Sequence, residues 1–213
     1  METTMASFSC DNLWLEGILT LPDGTDRVPG VVLCHPHPLY GGDMFNGVII
    51  QVTSALIELG IATLAFNFRG TGRSEGKHDR GVGEVADALA AVDYLCRQER
   101  VNRNLLGIAG YSFGAGIALD AVEASHNIGA VATVACPLPP LNDMLLHQIN
   151  RPKLFVQGDT DYLIPIDLFR FLVQRFKHPK HIEVLEGADH TILGYEVRVG
   201  QLIANFFNRT LAL

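Results

Sequence analysis

The stretch that most limits how this chain can fold is Gly110-Tyr111-Ser112-Phe113-Gly114. The apolar run Leu105-Leu106-Gly107-Ile108-Ala109 leads into it, and the small-residue stretch Ala115-Gly116-Ile117-Ala118-Leu119 leads out. That pattern reads as strand, sharp turn and helix, with a serine at the apex. A strand and a helix joined so tightly cross closely, and a Cβ at 110 or 114 would collide with the opposite element, which accounts for both glycines. The turn lifts Ser112 Oγ into the open. Behind it stand the unpaired N–H groups of a helix N-terminus, Phe113 first, which favour a developing negative charge.

The rest of the chain alternates strands and helices around this turn. Residues 7–21 read as a hairpin turning at Asp11-Asn12. Val31–Cys34 is a short continuous apolar run, as in a strand buried on both faces. The loop His35-Pro36-His37-Pro38-Leu39-Tyr40-Gly41-Gly42 follows, and a helix capped by Asp43 runs to Gly60. Ile61–Phe66 is a strand, 67–76 a glycine-rich loop and Val82–Leu95 a helix. Past the serine turn, Ala130–Ala135 is a strand. Cys136–Pro152 is a proline-rich connector with one short helix near Met144-Leu145-Leu146. The strand Lys153–Gln157, a helix over Ile166–Phe176, the strand Ile182–Leu185 and a helix over Tyr195–Phe207 complete the chain. This order predicts an α/β fold in one domain, 1–213. Its sheet is doubly wound and mostly parallel, with about eight strands and helices on both faces. Such sheets bind ligands at the carboxyl ends of their strands. That rule selects the loops at 35–42, 67–76, 112–113, 158–162 and 187–191.

Composition narrows the partners. The net charge of −7 and the lack of any basic cluster argue against nucleic acid. No apolar run is long enough to span a bilayer, and Met1-Glu2-Thr3-Thr4-Met5 lacks the basic and apolar segments of a signal peptide. Cys10, Cys34, Cys96 and Cys136 are scattered, which suits a reduced, cytoplasmic protein. The oligomeric state is left open.

A serine hydroxyl is a weak nucleophile until a base takes its proton. Two of the selected loops supply partners: Gly158-Asp159-Thr160-Asp161 and Gly187-Ala188-Asp189-His190. His190 is the candidate base. Asp161, three past Gly158, is placed for a turn to aim its carboxylate at a histidine in the neighbouring loop. Asp159 is placed to brace that turn and is the second choice for the acid. Asp189 adjoins His190, and neighbouring side chains diverge. An oxyanion also needs a second backbone N–H beside that of Phe113. Proline has none, which excludes Pro36 and Pro38. The His35 N–H sits at the strand end, where the sheet claims it. His37 is then the first choice, with Leu39 and Tyr40 behind it. Candidate substrate contacts are Tyr40, Arg69, Leu138 and Met144, with Pro137 and Leu145 as further walls. Arg69 and Arg73 carry a competing role, pinning their glycine-rich loop by hydrogen bonds. His35 and His37 alone make a poor metal site, and no metal or cofactor is expected. His78 shows no role.

The set Gly-Tyr-Ser-Phe-Gly, Gly-Asp-Thr-Asp-Tyr-Leu-Ile-Pro and Gly-Ala-Asp-His resembles the α/β-hydrolase superfamily across nearly the whole chain. Its order of serine, acid and histidine is that superfamily's order. The loops at 35–42 and 67–76 resemble those of small, cap-less bacterial predicted serine hydrolases, similar to dienelactone hydrolases and to the catalytic core of prolyl-type peptidases. Dienelactone hydrolases carry cysteine where this chain has Ser112, so their lactone chemistry does not transfer. The resemblance implies a serine hydrolase acting on a carboxylic ester or related small acyl compound. Thioester or peptide cleavage and acyl transfer are alternatives on the same three residues, and a non-catalytic binding protein is the rival from another class. The superfamily's cap usually follows the strand after the nucleophile helix. Here only Cys136–Pro152 occupies that place, which implies a shallow site and short acyl groups.

Overall fold

In a computed structural model, residues 1–211 are described. The expected domain of 1–213 is thus covered except for positions 212 and 213, which lie outside the described residues. Eight strands form one sheet in the spatial order β1-β2-β4-β3-β5-β6-β7-β8. They are β1 (Glu2–Cys10), β2 (Leu13–Leu21), β3 (Val28–Cys34), β4 (Ala62–Phe66), β5 (Val101–Tyr111), β6 (Ala130–Val134), β7 (Lys153–Gly158) and β8 (Lys180–Leu185). The β1–β2 hairpin and its pairing to β4 are antiparallel. All pairings from β4 to β8 are parallel. Every residue of β4, β6 and β7 is buried, as the continuous apolar runs require of strands covered on both faces.

The helices are α1 (Gly47–Glu58), α2 (Val82–Cys96), α3 (Phe113–Ala124), α4 (Leu138–Leu141), α5 (Ile166–Gln174) and α6 (Glu196–Thr210). Helix α1 packs on α6, while α2 packs on α3, and α4 on α3 and α5. The sheet is thereby sandwiched.

Three local expectations are corrected. The hairpin begins at Glu2 rather than residue 7, with exposed residues up to Met5. Asp43 does not cap α1. Its Oδ1 accepts the Phe45 N–H in a preceding turn, and Asn46 is the cap, its Oδ1 accepting the Val48 N–H at 3.0 Å. In the connector, helix lies at α4 and not at 144–146. Prolines 139 and 140 sit in the first turn of α4, where their missing N–H groups have no helical partner to lose. A 3₁₀ turn at Leu146–Gln148 follows.

Because β3 to β8 run parallel, the loops that follow them leave from one edge of the sheet. His37, Ser112, Asp161 and His190 follow β3, β5, β7 and β8 respectively, so the topology alone gathers them.

Candidate active site

The Ser112 turn is built as its glycines require. A Cβ on Gly110 would lie 2.0 Å from the Gly114 carbonyl oxygen, and one on Gly114 would lie 2.3 Å from that of Cys34. No side chain fits either place. Ser112 itself has φ 51° and ψ −116°, a strained backbone for a non-glycine residue. Its N–H is tied to the Val134 carbonyl at 2.8 Å, so the neighbouring strand β6 holds the apex in that conformation.

Three side chains then form a continuous chain of hydrogen bonds. Ser112 Oγ lies 2.9 Å from His190 Nε2, and His190 Nδ1 lies 2.8 Å from Asp161 Oδ2. Asp161 is buried. Its Oδ1 accepts the N–H groups of Leu163 and Ile164 at 2.9 and 3.0 Å, and Gln157 Nε2 donates to Oδ2 at 2.9 Å. Burial alone would raise its pKa. The bond and charge of His190, with the Gln157 and Ile164 donors, outweigh burial and hold the carboxyl below the usual carboxylate range. Asp161 therefore presents a carboxylate to His190 Nδ1, on the side of the ring away from Ser112.

The other two acidic residues face elsewhere. Asp159 Oδ1 accepts the Gly187 N–H at 2.7 Å, bracing one loop against the other. Asp189 Oδ1 accepts the N–H and the hydroxyl of Thr191. Tyr111, not singled out in the sequence, donates its hydroxyl to the His190 carbonyl at 2.9 Å. Burial pushes its pKa up to about 12, so it remains a donor. Gln157 is a second such residue. Its position four before the acid, inside a buried strand, was the only signal for it.

The loop after β3 settles which N–H groups are spent. The Leu39 N–H donates to His37 Nδ1 at 3.2 Å, and the Tyr40 N–H to the His37 carbonyl at 3.1 Å. Among the described residues, the N–H groups of His37 and Phe113 donate to no protein acceptor. The rings of these two residues pack 4.9 Å apart. Burial, reinforced by the charge of His78, lowers the His37 pKa, so its ring stays neutral and Nδ1 accepts. His35 is fully buried. Its Nδ1 donates to the Pro36 carbonyl, and its Nε2 accepts the Phe68 N–H at 3.1 Å, which ties this loop to the one after β4. Burial lowers its pKa to about 4.

The four substrate contacts expected from the sequence divide. Tyr40 is 88% exposed, with its ring 4.9 Å from that of His37. Leu138 is half-buried at the start of α4, just past the end of β6. Arg69 is a correction. Its Nε and Nη2 grip the buried carboxylate of Asp87 on α2 at 2.7 to 3.1 Å, so the guanidinium pins its own loop. Met144 is a second correction, with Leu145. Leu145 lines a cleft with Val122, Glu123 and Arg151 at the far end of α3, about ten residues and so roughly 15 Å along the helix from Ser112. Met144 precedes it and is 70% exposed. Among the described residues no group of three His, Cys, Asp or Glu side chains gathers as a metal site.

This fold has counterparts among known proteins. A family model described as an alpha/beta hydrolase domain matches residues 30–201. An uncharacterised protein of Rickettsia prowazekii is 37% identical over 175 residues, covering 77% of this chain and 72% of that one. An alpha-beta serine hydrolase homologue from Coxiella burnetii superposes with a TM-score of 0.86 at 32% identity, covering 96% and 97% of the two chains. A lid-less α/β serine hydrolase of Xanthomonas campestris gives a TM-score of 0.86 at 25% identity, covering 100% and 96%.

Proposed function

Since the chain belongs to the alpha/beta hydrolase family, we propose that it is a serine hydrolase that cleaves a carboxylic ester or related small acyl compound through an acyl-enzyme. The observation that carries this reading is the unbroken chain from Ser112 Oγ through His190 to Asp161, with contacts of 2.9 and 2.8 Å. The serine hydrolase homologue of Coxiella burnetii and the lid-less serine hydrolase of Xanthomonas campestris, alike in fold over nearly their whole length, support it.

Ser112 Oγ attacks the substrate carbonyl carbon as His190 Nε2 takes its proton. Asp161 stabilises the imidazolium that results and does not itself take the proton. The carbonyl oxygen becomes an oxyanion facing the N–H groups of Phe113 and His37, both without acceptors among the described residues before substrate arrives. Donors fixed in advance cost no reorganisation when the charge appears. His190 then protonates the departing alkoxide, and the acyl group stays on Ser112. Water attacks that ester with His190 again as base, and the acid leaves. The Cys136–Pro152 connector forms no cap, so the substrate is a small molecule reaching an open site. No helix of the described residues is long and apolar enough to cross a membrane, and the acidic chain with scattered thiols is assigned to the cytoplasm.

A fluorophosphonate probe tests the reading. It should label the wild type on Ser112 and leave Ser112→Ala and His190→Ala unlabelled, and a panel of esters, thioesters and peptides then ranks the acyl classes. Absence of labelling and of turnover in the wild type would make the protein a binding module on a hydrolase fold.

A further inference from the structure

The two residues whose N–H groups await the oxyanion also touch through their side chains, and a third ring closes on both. The His78 ring lies 4.8 Å from that of His37 and 5.5 Å from that of Phe113, while the His37 and Phe113 rings are 4.9 Å apart. Phe68 backs Phe113 at 5.8 Å. His78 is held in turn. Its Nδ1 lies 2.7 Å from Oε1 of Glu84, a close polar contact although not an aligned hydrogen bond. Glu84 is fully buried, and its carboxylate accepts the N–H groups of Asp79 and Gly81 at 2.8 Å each. A buried carboxylate is costly unless partnered. Here its partners are the two backbone groups that shape the 78–81 turn and the imidazole above it.

We propose that His78, anchored by Glu84, is a positioning residue for the oxyanion hole. Its ring wedges the rings of His37 and Phe113 so that their backbone N–H groups converge on one oxygen. This rests on the reading of Ser112 and of the two donors given above. The physical link is short. Each ring is joined through one Cβ to the Cα that carries the donor, so fixing three rings against one another fixes the spacing of the two peptides. Loop residues 37 and 113 come from different strands and share no hydrogen bond in the structure, so ring packing is what couples them directly. Errors of about 1 Å in such positions cost on the order of a hundredfold in rate.

The test compares His78→Ala, His78→Gln and His78→Phe, each made in a Glu84→Gln background so that none leaves a buried carboxylate facing an apolar ring. Ala and Gln remove the ring, and Phe restores it without the nitrogens. With a p-nitrophenyl ester, Ala and Gln should lower kcat about tenfold or more with KM nearly unchanged, because the hole acts on the transition state. Affinity for a trifluoromethyl ketone, which forms an oxyanion on Ser112, should fall by the same factor, and Phe should recover most of both. If Ala does not fold, the Gln-to-Phe contrast carries the same test. The inference is overturned if kcat and ketone affinity stay within about twofold of the Glu84→Gln parent, if kcat falls while ketone affinity does not, or if Phe is no better than Gln. A wild type that neither labels with fluorophosphonate nor turns over any ester would instead sink the underlying assignment of Ser112.

Discussion

Replacing Asp161 by Asn changes chemistry at nearly constant shape, and the structure decides which way the new amide turns. The carboxylate now accepts from four donors: Leu163 and Ile164 N–H on Oδ1, His190 and Gln157 on Oδ2. An amide has one accepting oxygen. With that oxygen towards His190, its NH₂ would face two backbone N–H groups, leaving the buried Ile164 donor unsatisfied at about 1–3 kcal/mol and the part-buried Leu163 donor at less. With the oxygen towards the backbone, both of those bonds survive and the NH₂ faces His190 and Gln157. Gln157 can adapt, because its Oε1 is buried without a partner and can turn to accept. The second orientation therefore wins by roughly one unsatisfied donor or more. It donates to His190 Nδ1 and drives the proton to Nε2, which then points a hydrogen at Ser112 Oγ and cannot act as base. A wrongly fixed tautomer of this kind costs a Ser-His-Asp triad about 10⁴ in kcat, so Asp161→Asn should lose about 10³–10⁴ in ester hydrolysis with its thermal unfolding little changed. Asp159→Asn keeps the oxygen that accepts the Gly187 N–H and should stay within about tenfold of wild type. A loss below about tenfold for Asp161→Asn, or a larger loss for Asp159→Asn, refutes the assignment of the acid.

Three further outcomes are expected. His37 has φ −57°, close to the value proline imposes, so His37→Pro fits the backbone while deleting the N–H. It should lose about 10²–10³ in kcat relative to His37→Ala, which lacks the same ring, and equal rates in the two variants would exclude that donor. Lys153 is fully buried, with Nζ donating to the carbonyls of Lys177 and Pro179, and burial, aided by nearby Lys180, lowers its pKa from 10.5 to about 8. Between those values the unfolded chain holds a proton that the folded chain does not, so wild type should gain stability over Lys153→Met as pH rises through that window, and denaturant curves with a constant difference would contradict this. The connector after β6 forms no cap, so kcat/KM for p-nitrophenyl esters should show no marked rise towards long chains. A steady gain per methylene, of the order of the roughly 0.8 kcal/mol that full burial gives, would reveal an apolar channel.

What could be read from the sequence depends on the range of the physics involved. The cores of strands β3 to β7 are legible because burial on both faces writes a short apolar run, whereas β8, buried only at Leu185, shows as the shorter stretch Ile182–Leu185. The serine turn was legible because two glycines record a collision that takes place within five residues. Contacts made across the chain left weaker marks. Asp43 and Asn46 are both good caps by type, and only the local turn, with Asp43 already spent on Phe45 N–H, decides between them. For Arg69 the sequence offers both a substrate contact and a loop-pinning role, and it does not name the pinning partner because Asp87 lies a helix away. The position of Met144 and Leu145 after β6 points them to the site, but α4 carries the chain along α3 and away from Ser112. His78 shows no role in the sequence for the same reason, since nothing within a few residues of it marks that His37 and Phe113 converge there.

The proposed second oxyanion donor shows where local reasoning stops. Proline chemistry removes Pro36 and Pro38 from the sequence alone, and three N–H groups are left. Separating them is a matter of accounting for each backbone donor. The N–H groups of Leu39 and Tyr40 are both taken by His37, through its ring nitrogen and its carbonyl. His37 thus uses its acceptors to close the turn and has no acceptor for its own N–H among the described residues. The residue that folds the loop is, by that folding, the one left with a donor to offer, which is why His37→Pro and His37→Ala should differ even though each removes the same ring.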